Sequence, residues 1–190
     1  MAAGNGAAMR IAPLAFVLDP ANPGQRTVLR DVCRITHHSD EAYLGALAVL
    51  AAIRGEVWPP GPVSFRELAD ALPDSRVRDR LLLFSEIPPE TPVREIVRRF
   101  GSSGYVVETV PLALLLAGRM TAATVGQALA ELVEAGGDTD TIGSIAGQVA
   151  GARLGLSRLP ANLVALEPVR TVLATAGAFA RTLASRLSKE

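Results

Sequence analysis

Asp138 and Asp140 stand two residues apart in Gly136-Gly137-Asp138-Thr139-Asp140-Thr141, where a glycine turn meets a run of small residues with a helical pattern. Two carboxylates and two threonine hydroxyls at a helix start have two uses. Their oxygens accept the first unpaired backbone N–H groups, as an N-cap does, and favour the positive end of the helix macrodipole. They also form a hard, oxygen-only donor set of the kind that holds Mg²⁺, Mn²⁺ or Ca²⁺ rather than zinc. The helix predicted behind them, Ile142–Gly155, carries Gly143, Gly147, Gly151 and Gly155 at every fourth position. Each interior glycine costs a helix about 1 kcal/mol relative to alanine. The stripe therefore predicts a close approach on that face, such as a neighbouring helix backbone against a buried central helix.

Three further segments combine turn residues with reactive side chains. In Gly4-Asn5-Gly6-Ala7-Ala8-Met9-Arg10, two glycines around an asparagine let backbone N–H groups line a concavity. A helix start directly after such a loop suits a phosphate. In Thr36-His37-His38-Ser39-Asp40 the two histidines diverge on a helix start, so one of them at most reaches a site. Gly101-Ser102-Ser103-Gly104-Tyr105 is a turn entering an apolar helix, with Glu108 in its first turns, where a carboxylate favours the dipole.

The elements that must position these groups read as helices. Apolar residues at 28, 29, 32 and 35 give Gln25–Ile35 a helical period. Ser39-Asp40-Glu41 caps a helix predicted over Ala42–Arg54, apolar around most of its circumference and so central. Gly55–Pro62 is a loop, and Ser64 with Glu67 forms a capping box. Arg76–Ser85 and Val93–Phe100 are amphipathic surface helices. Thr121–Ala135 is stopped by Gly136, and Pro168–Lys189 is a long terminal helix. About eight helices with short connections imply an all-α chain, a single domain over residues 1–190.

Composition excludes several classes. Nineteen basic and nineteen acidic side chains cancel, which gives no electrostatic case for nucleic acid or an anionic membrane. Cys33 is the single cysteine, so a disulfide framework is excluded; it reads as a small core residue. The most apolar run, Val106–Ala117, is too short to span a bilayer and contains Glu108 and Pro111. The start lacks a signal peptide's basic and apolar regions. Together these features predict a soluble, cytoplasmic protein.

Taken in chain order, Gly4–Arg10, Thr36-His37, Ser103–Pro111 and Gly136–Thr141 resemble the ADP-ribosylglycohydrolase family, which includes the dinitrogenase-reductase-activating glycohydrolases. The resemblance implies an all-α orthogonal multi-helix fold with its site in a cleft between helices. It also implies hydrolysis of the glycosidic bond joining ADP-ribose to a protein side chain or small acceptor: arginine, serine or O-acetyl-ADP-ribose. Two Mg²⁺ or Mn²⁺ ions would sit in the cleft, about 3.5–4 Å apart as in other two-metal sites. By resemblance Asp138 and Asp140 are ligands, with the hydroxyl of Thr141 as a further one. Gly4, Asn5 and Gly6 would line the ADP-ribose phosphates, with His37 in the same region. Gly104 and Tyr105, within Ser103–Thr109, would border the nucleotide.

The family pattern also includes a helical section before the Gly-Asn-Gly loop, with a Thr-Asp-Asp segment supplying further metal ligands. Here Met1-Ala2-Ala3 precedes Gly4, and no Thr-Asp-Asp occurs in the chain. The expectation is half of a binuclear site, in a piece of a longer enzyme. The alternatives are one half of a split enzyme completed by an N-terminal partner, or a non-catalytic relative that binds ADP-ribose or a partner protein. Apolar faces left uncovered would favour self-association.

Overall fold

Asn22 opens the first long helix: its Oδ1 accepts from the amides of Gly24 and Gln25, and Pro23 fills the first helical position. This computed structural model describes residues 3–58, 61 and 64–187. They form eleven α-helices: α1 (Gly6–Met9), α2 (Pro23–Arg34), α3 (Asp40–Val57), α4 (Phe65–Asp70), α5 (Arg76–Ser85) and α6 (Val93–Phe100), then α7 (Val106–Arg119), α8 (Val125–Ala135), α9 (Thr139–Leu154), α10 (Ala161–Val164) and α11 (Glu167–Leu187). The single extended pairing among them is an isolated antiparallel bridge between Gly4 and Tyr105. The fold is all-α. No helix of the described residues is long and apolar enough to cross a membrane.

The capping box at α4 forms as expected, Ser64 Oγ accepting from the Glu67 amide at 3.1 Å and Glu67 Oε2 from the Ser64 amide at 3.2 Å. Other boundaries differ for local reasons. The third helix runs past Arg54 to Val57, and Glu56 in its last turn is buried against Arg153. Ser39 occupies the N-cap position of α3, but its side chain makes no capping bond. Thr121 and Thr124 exchange side-chain and backbone hydrogen bonds at 2.9 and 3.2 Å, so the chain turns there and α8 begins at Val125. The prolines of the predicted Gly55–Pro62 loop, and positions 188 and 189 of the predicted terminal helix, lie outside the described residues.

Helices α3, α7 and α9 pack on one another and supply the centre of the core, including Leu47, Leu50, Ile53, Leu112, Leu116, Ile142 and Ile145. Their sense is fixed by contacts at both ends. Gly45, near the start of α3, lies so close to the start of α7 that a Cβ there would overlap Val106 Cγ2. At the other end Arg153, in the last turn of α9, donates to the carbonyls of Ala117 (2.6 Å) and Met120 (2.7 Å) and to Glu56 Oε1 at 2.7 Å. All three helices therefore run in one direction, with their N-termini at a common end. Burial pushes the Glu56 carboxyl above its usual value, against the opposing charge and hydrogen bond of Arg153.

The expected role of the glycine stripe does not hold along its length. A Cβ at Gly143 would meet Leu129 and Leu132 of α8 at 3.5 and 3.6 Å, ordinary contact distances, whereas at Gly147, Gly151 and Gly155 it would meet nothing within 4 Å. Helix α9 instead buries its other face, through Ile142, Ile145, Ala146, Val149 and Ala150.

Candidate functional site

The N-terminal end of the three core helices is where the segments singled out above meet, and Asn5 joins them. Its backbone N–H donates to Gly104 O at 3.2 Å, and the amide of Val106 donates to Ala3 O at 2.9 Å, so the Gly4–Gly6 loop is clipped to the start of α7. The Asn5 side chain is buried. Its Nδ2 donates to Thr109 Oγ1 at 2.9 Å and to Asp138 Oδ2 at 2.6 Å. One carboxamide thus bridges residues 104 and 133 positions away in the chain.

Two glycine turns make room for this junction. Gly101, Gly136 and Gly137 have φ of +85°, +80° and +94°, a region that side chains disfavour. At Gly137 a Cβ would overlap the Ser102 carbonyl and hydroxyl. That closeness lets the Asp138 amide donate to Ser102 O at 2.7 Å, while Ser102 Oγ donates to Gly136 O at 3.0 Å. Glu108 turns back over the other side: its Oε2 accepts from the Ser103 amide and hydroxyl at 2.9 and 2.7 Å. It fastens the turn, beyond any effect on the dipole.

Asp138 sits at the N-cap position of α9, and its 2.6 Å side-chain hydrogen bond comes from outside the helix. It faces Asn5. Burial alone would raise its carboxyl, but the hydrogen bond from Asn5, with help from neighbouring Thr141 and Asp140, holds it below the usual carboxylate value. Thr141 is buried and Asp140 exposed. The chemistry of this set suits a hard cation, with two carboxylates and a hydroxyl within the first turn of one helix. Its number is short. Among the described residues no group of three or more His, Cys, Asp or Glu side chains comes together, and a six-coordinate ion needs further oxygens.

His37 lies against the Gly4–Gly6 loop. A Cβ on Gly6 would stand 2.7 Å from His37 Cε1 and 2.9 Å from Nε2, and one on Gly4 would stand 3.3 Å from Nε2. Neither glycine has positive φ. They are small to admit the imidazole, a reason different from the expected backbone freedom. Tyr105 caps the other side, its hydroxyl accepting from Arg76 Nη1 at 3.3 Å. The Arg76 amide in turn donates to Glu41 Oε1 at 3.2 Å. Ser102 and Thr109 fall within the segments singled out above but had no individual role there, and Arg76 lies outside those segments. A threonine inside the apolar run Val106–Ala117 was the one available signal, since a buried hydroxyl needs a partner. His38 is exposed. A surface cavity of about 510 Å³, lined by Pro89, Thr91, Arg119, Gln127 and Glu131, lies at the far end of α7 and contains none of the predicted residues.

Parallel core helices that open onto a polar junction of asparagine, histidine and paired aspartates define an all-α protein with its candidate site residues at one end. A family model described as ADP-ribosylglycohydrolase matches residues 1–190. An uncharacterized protein, YegU of Escherichia coli (strain K12), is 30% identical over 185 residues, an alignment covering 87% of this chain and 54% of YegU. The chain belongs to the ADP-ribosylglycohydrolase family. It spans about half the length of the curated relative it matches.

Proposed function

We propose that this chain carries part of the ADP-ribose-handling cleft of a glycohydrolase that removes ADP-ribose from a modified side chain or small acceptor. The reaction adds water across the glycosidic bond: hydroxyl goes to the ribose anomeric carbon, and a proton to the departing nitrogen or oxygen. The observation that carries the reading is the Asn5 junction, which draws Gly4–Gly6, Gly104-Tyr105 and Asp138 to one locus. In this assignment Gly4, Asn5 and Gly6 line the phosphates, with His37 at their edge, and Gly104 and Tyr105 border the nucleotide. Asp138, Asp140 and Thr141 hold Mg²⁺ or Mn²⁺. When bound, such an ion supplies positive charge that orients ribose oxygens and activates water. Asn5 keeps the Asp138 carboxylate ionised and aimed.

The donor count supports a second reading, a relative that binds ADP-ribose without cleaving it. Three oxygens from one helix start are about half of an octahedral set, and hydrolysis requires the rest from substrate, water or another segment. Calorimetry with ADP-ribose, with and without Mg²⁺, tests what the two readings share. Saturable heat that weakens in Asp138→Asn is expected. No heat at millimolar ligand refutes both, since a Kd of 1 mM is already only about −4.1 kcal/mol. Release of free ADP-ribose from an ADP-ribosylated peptide then separates enzyme from binder.

A further inference from the structure

Arg10, Thr36 and His37 form a chain of side chains ending at the glycine loop. Arg10 Nη2 donates to Thr36 Oγ1 at 2.6 Å, and Thr36 Oγ1 lies 2.7 Å from His37 Nδ1. The same Arg10 nitrogen also reaches the Val32 carbonyl at 3.4 Å, which anchors the guanidinium to α2. A guanidinium has donors and no acceptor. Thr36 Oγ1 therefore accepts a hydrogen bond from Arg10 and has its own O–H to donate. The imidazole lone pair on Nδ1 is the acceptor within reach. The reverse arrangement, Nδ1–H donating to Thr36, leaves the threonine proton without a protein partner among the described residues. A charged donor on its oxygen also polarises the hydroxyl and makes it a stronger donor in turn.

We propose that Arg10 and Thr36 are positioning residues that fix neutral His37 with its proton on Nε2 and hold that N–H edge against the Gly4–Gly6 loop. With Nδ1 occupied, the ring presents one outward group, a donor. Gly4 and Gly6 leave space for it, since a Cβ on either would stand within 3.4 Å of the ring. Resting on the functional reading above, the group it serves is a phosphate oxygen of ADP-ribose lying over the loop. An acceptor nitrogen there would repel that oxygen. Thr36 and Arg10 act through His37 and need not touch the ligand.

Nitrogen-15 NMR of the imidazole, recorded at a pH where the ring carries a single proton, reads the tautomer directly. Nε2 should carry the proton, and Nδ1 should show the shift of a hydrogen-bonded acceptor. Thr36→Val should move Nδ1 to an unbonded value, and Thr36→Ser should restore it, at unchanged helix content. A proton on Nδ1 of the wild type, or an Nδ1 shift indifferent to Thr36→Val, overturns the proposal. Titration with ADP-ribose gives the second readout: affinity falls about 3–10-fold in Thr36→Val and Arg10→Met and recovers in Thr36→Ser. Loss in the serine variant as well overturns the positioning role. If the NMR pattern holds while no form binds ADP-ribose, the tautomer assignment stands and the functional reading is what fails.

Discussion

Asn5→Ala tests the junction most directly. The substitution removes two hydrogen bonds from one buried nitrogen, to Asp138 at 2.6 Å and Thr109 at 2.9 Å, and leaves the backbone bond to Gly104 in place. A hydrogen bond to a charged group contributes about 1.5–3 kcal/mol and a neutral one about 0.5–1.5 kcal/mol. Asp138 is half-buried, so water replaces part of what it loses, while Thr109 is fully buried but keeps its own donation to Ser103 O at 2.8 Å. The net cost should be about 2–3 kcal/mol, a fall in Tm of roughly 4–12 °C for a chain of this length. Thermal and urea unfolding followed by circular dichroism at neutral pH would measure it. Asn5→Asp discriminates further, because it preserves shape but sets a second carboxylate against Asp138. It should cost more than alanine at neutral pH, and the gap should close in acid as the pair takes up a proton. An unfolding free energy within about 0.5 kcal/mol of wild type for Asn5→Ala, the scatter of an ordinary surface change, would refute the junction as a structural hub.

Three other perturbations probe the frame around it. Gly137→Ala places a side chain at φ +94° against the Ser102 carbonyl, and should cost about 2–4 kcal/mol by equilibrium unfolding; a neutral result would mean the turn is not held as described. Gly45→Ala should destabilise despite the helix propensity gained, by about 1–2 kcal/mol net, because Val106 is fully buried and must move. Glu56 gives a pH signature. Its carboxyl is raised above the ordinary 4.5 in the folded state, so the fold binds the extra proton and stability falls as pH rises from 4.5 through the raised value. Glu56→Gln should flatten that part of the urea-midpoint profile, and an unchanged slope would exclude Glu56 as its source.

Much of the frame could be read from residue order because its signals are local. The amphipathic patterns of Arg76–Ser85 and Val93–Phe100 are flanked by Ser75, Pro92 and Gly101, and both helices take the expected bounds. The Ser64 box and the Gly136 stop are of the same kind. What could not be read is pairing across the chain. Periodicity says that Asp138 begins a helix, but nothing within its neighbourhood says that its carboxylate turns to an asparagine 133 residues earlier. Gly4 and Gly6 were legible as special and not as spacers for an imidazole, since that reason resides in residue 37. The stripe behind Asp140 failed for a related cause. Small residues permit a close approach without specifying one, and most of that face is open.

The direction of α3, α7 and α9 bears on how the carboxylates at the site end should be understood. Three co-directed helices place their positive ends together, each equivalent to about half an elementary charge. The chain answers with acids in the first turns, Asp40, Glu41, Glu108 and Asp140, and with Arg54, Arg119 and Arg153 in the last turns. Some acids at that end are therefore required by helix electrostatics alone, and their number cannot identify a metal site. Their partners separate them. Asp40 meets Arg34 at 3.3 Å, Glu41 takes the Arg76 amide, and Glu108 takes Ser103, whereas Asp138 and Asp140 share one helix start with Thr141. Asp40→Asn and Asp140→Asn should thus cost similar stability, about 0.3–1 kcal/mol each at low salt, and differ in their response to cation. If Asp140 is a ligand, Mg²⁺ raises the Tm of wild type and of Asp40→Asn, and Asp140→Asn abolishes the rise. Equal Mg²⁺ responses in the two variants would assign Asp140 to the dipole and leave the metal without its second carboxylate.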